Sequence, residues 1–317
     1  MILSSTTKFY VAGHEGLVGS ALLRFLESKG HSHTIVASRK ELNLENLEAT
    51  QLFLEKTKPD VVINAAAKVG GILANKTYAG DFIYSNLAST LALTHAALRS
   101  GVKRYVFLGS SCIYPRLAPQ PIPEDALLTS PLESTNEAYA IAKIAGLKLC
   151  QYYRAQYGVL FHSVMPTNLY GPKDNYNLET AHVLPALIRK FHEAKLHQLP
   201  SVSIWGDGSP KREFLHVDDL ASAIFKLCAI DQPPDWVNIG SGQDLSIKEL
   251  AQMIAHSVGF KGQLLFDPTK PSGTPRKLLD STHMRSLGWE PSISLEQGIR
   301  RTYAEFEATY KDKTARL

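Results

Sequence analysis

A glycine turn set between an apolar run and a helical one constrains this chain more than any other feature. Lys8-Phe9-Tyr10-Val11-Ala12 reads as a short buried strand, Gly13-His14-Glu15-Gly16-Leu17-Val18-Gly19 comes at once after it, and residues 20–29 repeat apolar side chains at helical spacing. Strand, glycine turn and helix in that order begin a doubly wound parallel sheet that holds a dinucleotide. Gly13 allows the tight turn, Gly16 lets backbone approach a pyrophosphate, and Gly19 lets the helix lie close on the strand. The start of the helix then offers unpaired N–H groups and positive dipole to the phosphates. The G-x-x-G-x-x-G spacing is one residue longer at its first gap than the common fingerprint.

Residues 34–100 extend the same alternation. Thr34-Ile35-Val36-Ala37-Ser38 is expected to be the second strand, ending in Arg39-Lys40. Arg39 lies about 20 residues beyond Gly19, where an NAD-selective site carries an acid for the ribose 2′-hydroxyl. A cation there suits a 2′-phosphate, so the sequence predicts NADP(H). An amphipathic helix over residues 47–57 leads to a third strand over 60–66, and Ala65 to Ala67 with Gly70-Gly71 leave room for the cofactor over the carboxyl edge of the sheet. A long helix over residues 80–100 carries Asn86, which faces either the cofactor or a local polar spot. Alternating strands and helices give a parallel sheet and an α/β fold.

Tyr105-Val106-Phe107-Leu108 reads as a buried strand delivering Ser110-Ser111-Cys112, followed by a loop with Pro115, Pro119, Pro121 and Pro123 that lines the site or lies on a neighbouring lobe. In Glu137-Ala138-Tyr139-Ala140-Ile141-Ala142-Lys143 a phenol and an ammonium share one helical face. The lysine is expected to lower the phenol's pKa from about 10, so that the hydroxyl exchanges a proton with a carbonyl oxygen. Ser110 is the candidate second hydroxyl. A strand over 159–165 then leads to the exit loop Pro166-Thr167-Asn168-Leu169-Tyr170-Gly171-Pro172, whose backbone can meet a nicotinamide amide.

At 317 residues the chain suits one large domain with a smaller lobe: a nucleotide-binding domain over 1–181, completed by about 213–245, and a substrate lobe over most of 182–317. In the second part Val202 to Gly208 and Lys211 to Phe214 suggest short strands, Trp236 to Ile239 re-enters the first domain, and Leu295 to Phe306 reads as a closing helix. Asp218-Asp219 are expected to cap the helix that runs to Leu227, with no metal. The net charge of +4 comes from scattered basic residues, which argues against nucleic acid. Cys112, Cys150 and Cys228 lack the pairing and C-x-x-C spacing of a disulfide framework or zinc site. Met1 to Thr7 is short and polar rather than a signal peptide, and no run reaches the roughly 18 apolar residues of a membrane span, so a cytoplasmic protein without membrane contact is expected.

The glycine turn, Gly109-Ser110-Ser111-Cys112-Ile113-Tyr114-Pro115, Asn136 to Lys143, Met165 to Pro172 and Arg212-Glu213-Phe214-Leu215-His216-Val217-Asp218-Asp219 together resemble the extended short-chain dehydrogenase/reductase superfamily over nearly the whole chain. The likeness is narrower to a branch acting on GDP-bound sugars. It implies a Rossmann-type sheet and an enzyme that takes GDP-4-keto-6-deoxy-D-mannose, epimerises C3 and C5, and reduces C4 with NADPH. It also implies a homodimer built through the helices at 80–100 and 134–157. Catalysis would fall to Ser110, Cys112, Tyr139, Lys143 and His182. Besides the turn from Gly13 to Gly19, Arg39 and Asn86, cofactor contact would fall to Leu108, Gly109, Ser110, Ser111, Lys143 and His182, and to Pro166, Thr167, Asn168 and Leu169. Lys190, Trp205, Arg212 and Asp280 would hold the GDP-sugar.

Inverting a carbon beside a ketone removes a proton from one face and returns one to the other. A thiol near 8.5 and an imidazole near 6.5 both titrate close enough to neutrality for that exchange. Cys112 stands two residues past Ser110, hence near the same sugar ring. On the residues alone Cys112 also fits a small buried hydrophobe, His182 and Asp280 helix caps, and Trp205 a core position. A 4-reductase or 4-epimerase of the same superfamily would not need Cys112 and His182. A 4,6-dehydratase would carry carboxylates where Ser111 and Cys112 stand, and an NADP-sensing protein would have little use for Ser110, Tyr139 and Lys143 together.

Overall fold

The computed structural model describes residues 3–270 and 273–317; Met1 and Ile2, the start of the polar leader, lie outside the described residues. The chain begins with β1 (Phe9–Ala12), α1 (Leu17–Ser28), β2 (Thr34–Ile35), α2 (Leu47–Thr57), β3 (Val61–Asn64), α3 (Ile72–Thr77), α4 (Ala79–Arg99) and β4 (Arg104–Leu108). It continues with α5 (Glu137–Tyr157), β5 (Leu160–Pro166), β6 (Asn168–Tyr170), α6 (Val183–Leu196), β7 (Ser201–Trp205), β8 (Lys211–His216) and α7 (Val217–Ala229). It closes with β9 (Trp236–Ile239), β10 (Asp244–Ser246), α8 (Ile247–Val258), β11 (Gln263–Asp267), β12 (Arg276–Lys277), α9 (Thr282–Ser286) and α10 (Leu295–Lys311).

Six parallel strands in the order β2-β1-β3-β4-β5-β9 form the main sheet. Because side chains alternate across a strand, Phe9, Val11, Ile63 and Val106 pack under α1 and α7, while Tyr10, Val62, Tyr105 and Phe107 pack under α2, α4 and α5. Burial on both faces explains why these strands read as unbroken apolar runs. Pairing of β9 with β5, Val237 beside Val164, returns the later chain to this sheet. A second apolar core lies among α6, α8, α10, β7 and β11, with Phe191, Ile204, Leu250 and Phe306 at its centre. Between the two, β8 pairs with β6, β10 and β12.

Three local readings change. The second strand is paired only over Thr34–Ile35, so Arg39 stands beyond it on exposed chain. Part of the exit loop is itself a strand: β6 runs parallel to β8, and the Asn168 amide donates to the Glu213 carbonyl at 2.8 Å. Helix α7 is capped by the His216 ring, whose Nδ1 accepts from the Asp218 N–H at 3.2 Å. The two carboxylates expected there serve elsewhere: Asp218 pairs with Arg24 at 2.7 Å and Asp219 accepts from the Ser292 and Ile293 N–H groups. The proline loop bridges the two parts of the chain: Ile122 exchanges backbone hydrogen bonds with Leu278 and Asp280, while Ile113, Ile122 and Ala126 pack with Ile144 and Leu147 of α5 and Met165 of β5.

Candidate active site

The glycine turn is shaped by what a side chain there would strike. Gly13 has φ +79°, and a Cβ on it would lie 2.8 Å from the backbone of Ala65 and Ala66; one on Gly19 would stand 2.1 Å from the Gly13 carbonyl. Gly16 opens α1 with no side-chain cap, leaving first-turn N–H groups aimed at the turn. The His14 Nδ1 is buried without a partner. A cradle of bare backbone, unpaired donors and helix dipole fits a pyrophosphate. Asn86 serves a local polar spot: it accepts from the Lys68 N–H at 2.9 Å and donates to the Lys68 and Phe82 carbonyls at 3.0 and 2.8 Å, pinning the loop after β3. Arg39 is 82% exposed, 3.5 Å from Glu45. Nearby Glu41 spends its carboxylate on the Ser38 N–H and hydroxyl, both at 2.8 Å.

At the carboxyl end of β4, the Leu108 carbonyl accepts the Lys143 ammonium at 2.7 Å. Lys143 is 3% exposed, beneath the rings of Phe107 and Tyr139, and burial pulls its pKa down to about 7. Burial, reinforced by Cys112, raises the Tyr139 phenol above its ordinary value, with a Ser110 hydrogen bond working in the other direction. The lowering expected from the lysine is therefore absent. Its ammonium points at the Leu108 carbonyl and holds its charge poorly, so desolvation decides the sign. The Ser110 hydroxyl also accepts the Cys112 N–H at 3.2 Å, fixing the turn that presents the thiol.

The Cys112 sulfur accepts from the Asn136 amide at 3.3 Å and the Lys277 ammonium at 3.6 Å. His182 is the N-cap residue of α6 but makes no capping bond. Its ring is reached by solvent from the cleft, yet desolvation is the main cause, ahead of the Lys277 charge, that holds its pKa below the usual value. The Lys277 charge thus bears on both Cys112, which it contacts, and His182. The loop that delivers His182 is set by Asn177, whose side chain accepts the Thr180 N–H at 3.2 Å, and by Gly71, whose N–H donates to the Thr180 carbonyl at 2.8 Å. The Arg212 guanidinium, lowered by burial, is held in its charged form by Cys112 and Glu133.

Trp205 is not a core residue: it is 42% exposed, with the Lys190 and Lys270 ammonium groups each 5.9 Å from its ring centroid. Asp280 accepts the Thr282 N–H at 2.9 Å and caps the turn into α9. No group of three or more metal-ligating side chains occurs among the described residues. Sequence reasoning missed Asn136, Lys270 and Lys277. Lys277 lies three residues before Asp280, and only its pairing beside Arg212 gives it a role.

The NAD dependent epimerase/dehydratase family matches residues 9–240. The GDP-L-fucose synthase 1 of Arabidopsis thaliana is 55% identical over 298 residues, covering 94% of this chain and 92% of that relative. The GDP-L-fucose synthase of Sinorhizobium fredii is 53% identical, covering 98% of this chain and 99% of its own length. Among solved structures, a GDP-L-fucose synthetase from Naegleria fowleri bound to NADP matches with a TM-score of 0.91 at 28% identity, over 100% of this chain and 98% of that one.

Proposed function

The chain belongs to the NAD dependent epimerase/dehydratase family, and on that footing we infer that it works as a GDP-L-fucose synthase. It epimerises GDP-4-keto-6-deoxy-D-mannose at C3 and C5 and reduces C4, giving GDP-L-fucose with NADPH as reductant. The observation that carries this reading is the convergence of two sets of groups after one strand: Ser110, Tyr139 and Lys143, which serve a carbonyl oxygen, and Cys112 with His182, on both of which the Lys277 charge bears. A plain reductase needs only the first set.

NADPH supplies the hydride delivered to C4 when it is bound. The turn from Gly13 to Gly19 and the start of α1 would hold its pyrophosphate, and Arg39 would answer the 2′-phosphate. Leu108, Gly109, Ser111 and the segment from Pro166 to Leu169 would line the nicotinamide. In the epimerising stage Cys112 takes the proton from the ring carbon while the C–H electron pair moves onto the C4 oxygen as an enolate, and His182 returns a proton to the opposite face. Ser110 and Tyr139 hydrogen-bond that oxygen as charge develops. In the reducing stage Tyr139 gives it the phenolic proton. Burial keeps the phenol protonated at neutral pH, the form this step consumes. Lys143 would hold the nicotinamide ribose beside Tyr139, and Lys190, Trp205, Arg212 and Asp280 would hold the GDP-sugar.

The division into a nucleotide-binding domain over 1–181, completed by 213–245, and a substrate lobe is supported by the separate packing of the main sheet and of α6, α8 and α10, although Met284 and Trp289 pack with the first core and Tyr170 and Tyr176 with the second. A homodimer is supported by apolar side chains left exposed on neighbouring helices, Tyr84 and Leu91 on α4 and Ile141 and Tyr152 on α5, each pair at a spacing that shares a face. No helix among the described residues is long and apolar enough to cross a membrane, in keeping with a cytoplasmic enzyme. Incubation with the keto sugar and NADPH is expected to give a product inverted at C3 and C5, read from its proton couplings, with one NADPH oxidised per turnover. A product reduced at C4 with C3 and C5 unchanged would contradict the assignment.

A further inference from the structure

We propose that Lys277 is a positioning residue of the epimerising site, its ammonium held against the Cys112 sulfur so that the sulfur can carry negative charge when it acts as base. The proposal rests on the roles given to Cys112 and His182 above. Three observations carry it.

The first is contact. The Lys277 ammonium stands 3.6 Å from the sulfur and, among the described residues, pairs with no carboxylate. Its neighbour Arg276 pairs with Asp244. Consecutive residues of a strand face opposite ways, so one cation of β12 is neutralised outside the cleft and the next is turned into it.

The second is rigidity at the root of a flexible side chain. Beside Lys277, β8 pairs in register, with Lys277 next to Arg212. The residues after it are clamped on both sides: the Leu278 N–H donates to the Gln120 side chain at 2.9 Å, the Leu279 N–H to Glu213 at 3.0 Å, and the Asp280 N–H to the Ile122 carbonyl at 2.9 Å. A surface lysine needs no such anchoring.

The third is the charge pattern around the two groups. Cys112 is faced by Lys277 from β12, Arg212 from β8, and Asn136 and Tyr139 at the start of α5; Glu133, an acid acting on Arg212, is itself engaged by Arg116 at 3.2 Å. His182 feels the Lys277 charge. A fixed cation favours the anion at sulfur and disfavours the cation at the ring, so that more of the sulfur stands in the proton-accepting form at neutral pH and the ring gives up its proton more readily. In the step itself the proton leaving carbon ends on sulfur, the proton leaving His182 ends on carbon, and no other reactant is needed.

The test uses full-length enzyme with Lys277→Met, Lys277→Gln and Lys277→Arg. Cys150 and Cys228 are buried, so alkylation by iodoacetamide, followed by mass spectrometry across pH, reports on Cys112. Met and Gln are expected to raise the alkylation midpoint by about 1–3 pH units and to slow deuterium uptake at C3 and C5 at neutral pH by about tenfold or more, the lower edge of what an acid–base group contributes. NADPH affinity should stay within about twofold, and Arg should restore the midpoint, as a charge role requires. An unmoved midpoint in Met and Gln, or an equal shift in all three variants, overturns the proposal. Cys112→Ser separates the two readings. If it keeps deuterium uptake, both the assignment of Cys112 and the proposal fall; if it loses uptake while the Lys277 variants keep the midpoint, only the proposal falls.

Discussion

On the reading proposed above, Ser110, Tyr139 and Lys143 form the reducing side of the cleft, carried by two neighbouring elements, the end of β4 and the first turns of α5. Cys112, His182 and Lys277 form the proposed epimerising side, carried by the turn after β4, the cap of α6 and the last short strand. The reducing side is dry: desolvation brings Lys143 to about 7 and lifts Tyr139. The other group is no more open, Cys112 being half-buried like Ser110 and Tyr139, but it has a cation at its side, the Lys277 ammonium 3.6 Å from the sulfur. Burial thus sets the direction at Lys143, Tyr139 and His182 alike, and what sets the second group apart is that ammonium.

The comparison breaks most visibly at the sulfur. Cys112→Ser is expected to cut deuterium incorporation at C3 and C5 by ~10²–10⁴ while NADPH still binds; undiminished incorporation, followed by proton NMR, would remove the distinction between the sides. Tyr139→Phe should do the converse, slowing NADPH oxidation by about 10²-fold and deuterium uptake by much less. Equal losses in both assays would mean that the two sides act as one unit.

Lys143 sharpens the contrast through stability. Its folded pKa of about 7 lies below the 10.5 of an ordinary lysine. Between those values the unfolded chain binds more protons than the native one, so stability rises with pH, by up to ~1.4 kcal/mol per unit. Below about 7 both states are protonated and the dependence fades. Urea unfolding at pH 7.5 and 9 should show the gain in the parent protein and its loss in Lys143→Met; the same slope in both would contradict a desolvated lysine. Smallest of all, Arg39→Ala should weaken NADPH by about tenfold, the worth of one charge-assisted contact at an exposed site, and leave NADH alone. A titration in which both cofactors weaken equally would remove Arg39 from the 2′-phosphate.

Legibility in the sequence divides along the same line. The glycine turn, the buried strands and the Tyr139-x-x-x-Lys143 spacing are local patterns, and residues 9–143 fold much as they read. The direction of the Tyr139 shift was not legible, because it depends on how much protein covers the ring rather than on spacing. The cap of α7 was misread since Asp218 and Asp219 have partners in α1 and at residues 292–293 that no local pattern reveals. Lys277 escaped notice for the same reason: its meaning comes from pairing with β8 and from a proline loop more than a hundred residues earlier. Cys112 and His182 came from resemblance, and only the folded chain brings the Lys277 charge to bear on both.

The account's central claim, that one cleft both inverts two carbons and reduces a third, is tested most directly by making the product in heavy water from GDP-4-keto-6-deoxy-D-mannose and NADPH carrying ordinary hydrogen, then reading it by proton NMR. The account predicts deuterium at C3 and C5 and protium at C4. Protium retained at both C3 and C5 in a C4-reduced product would contradict it.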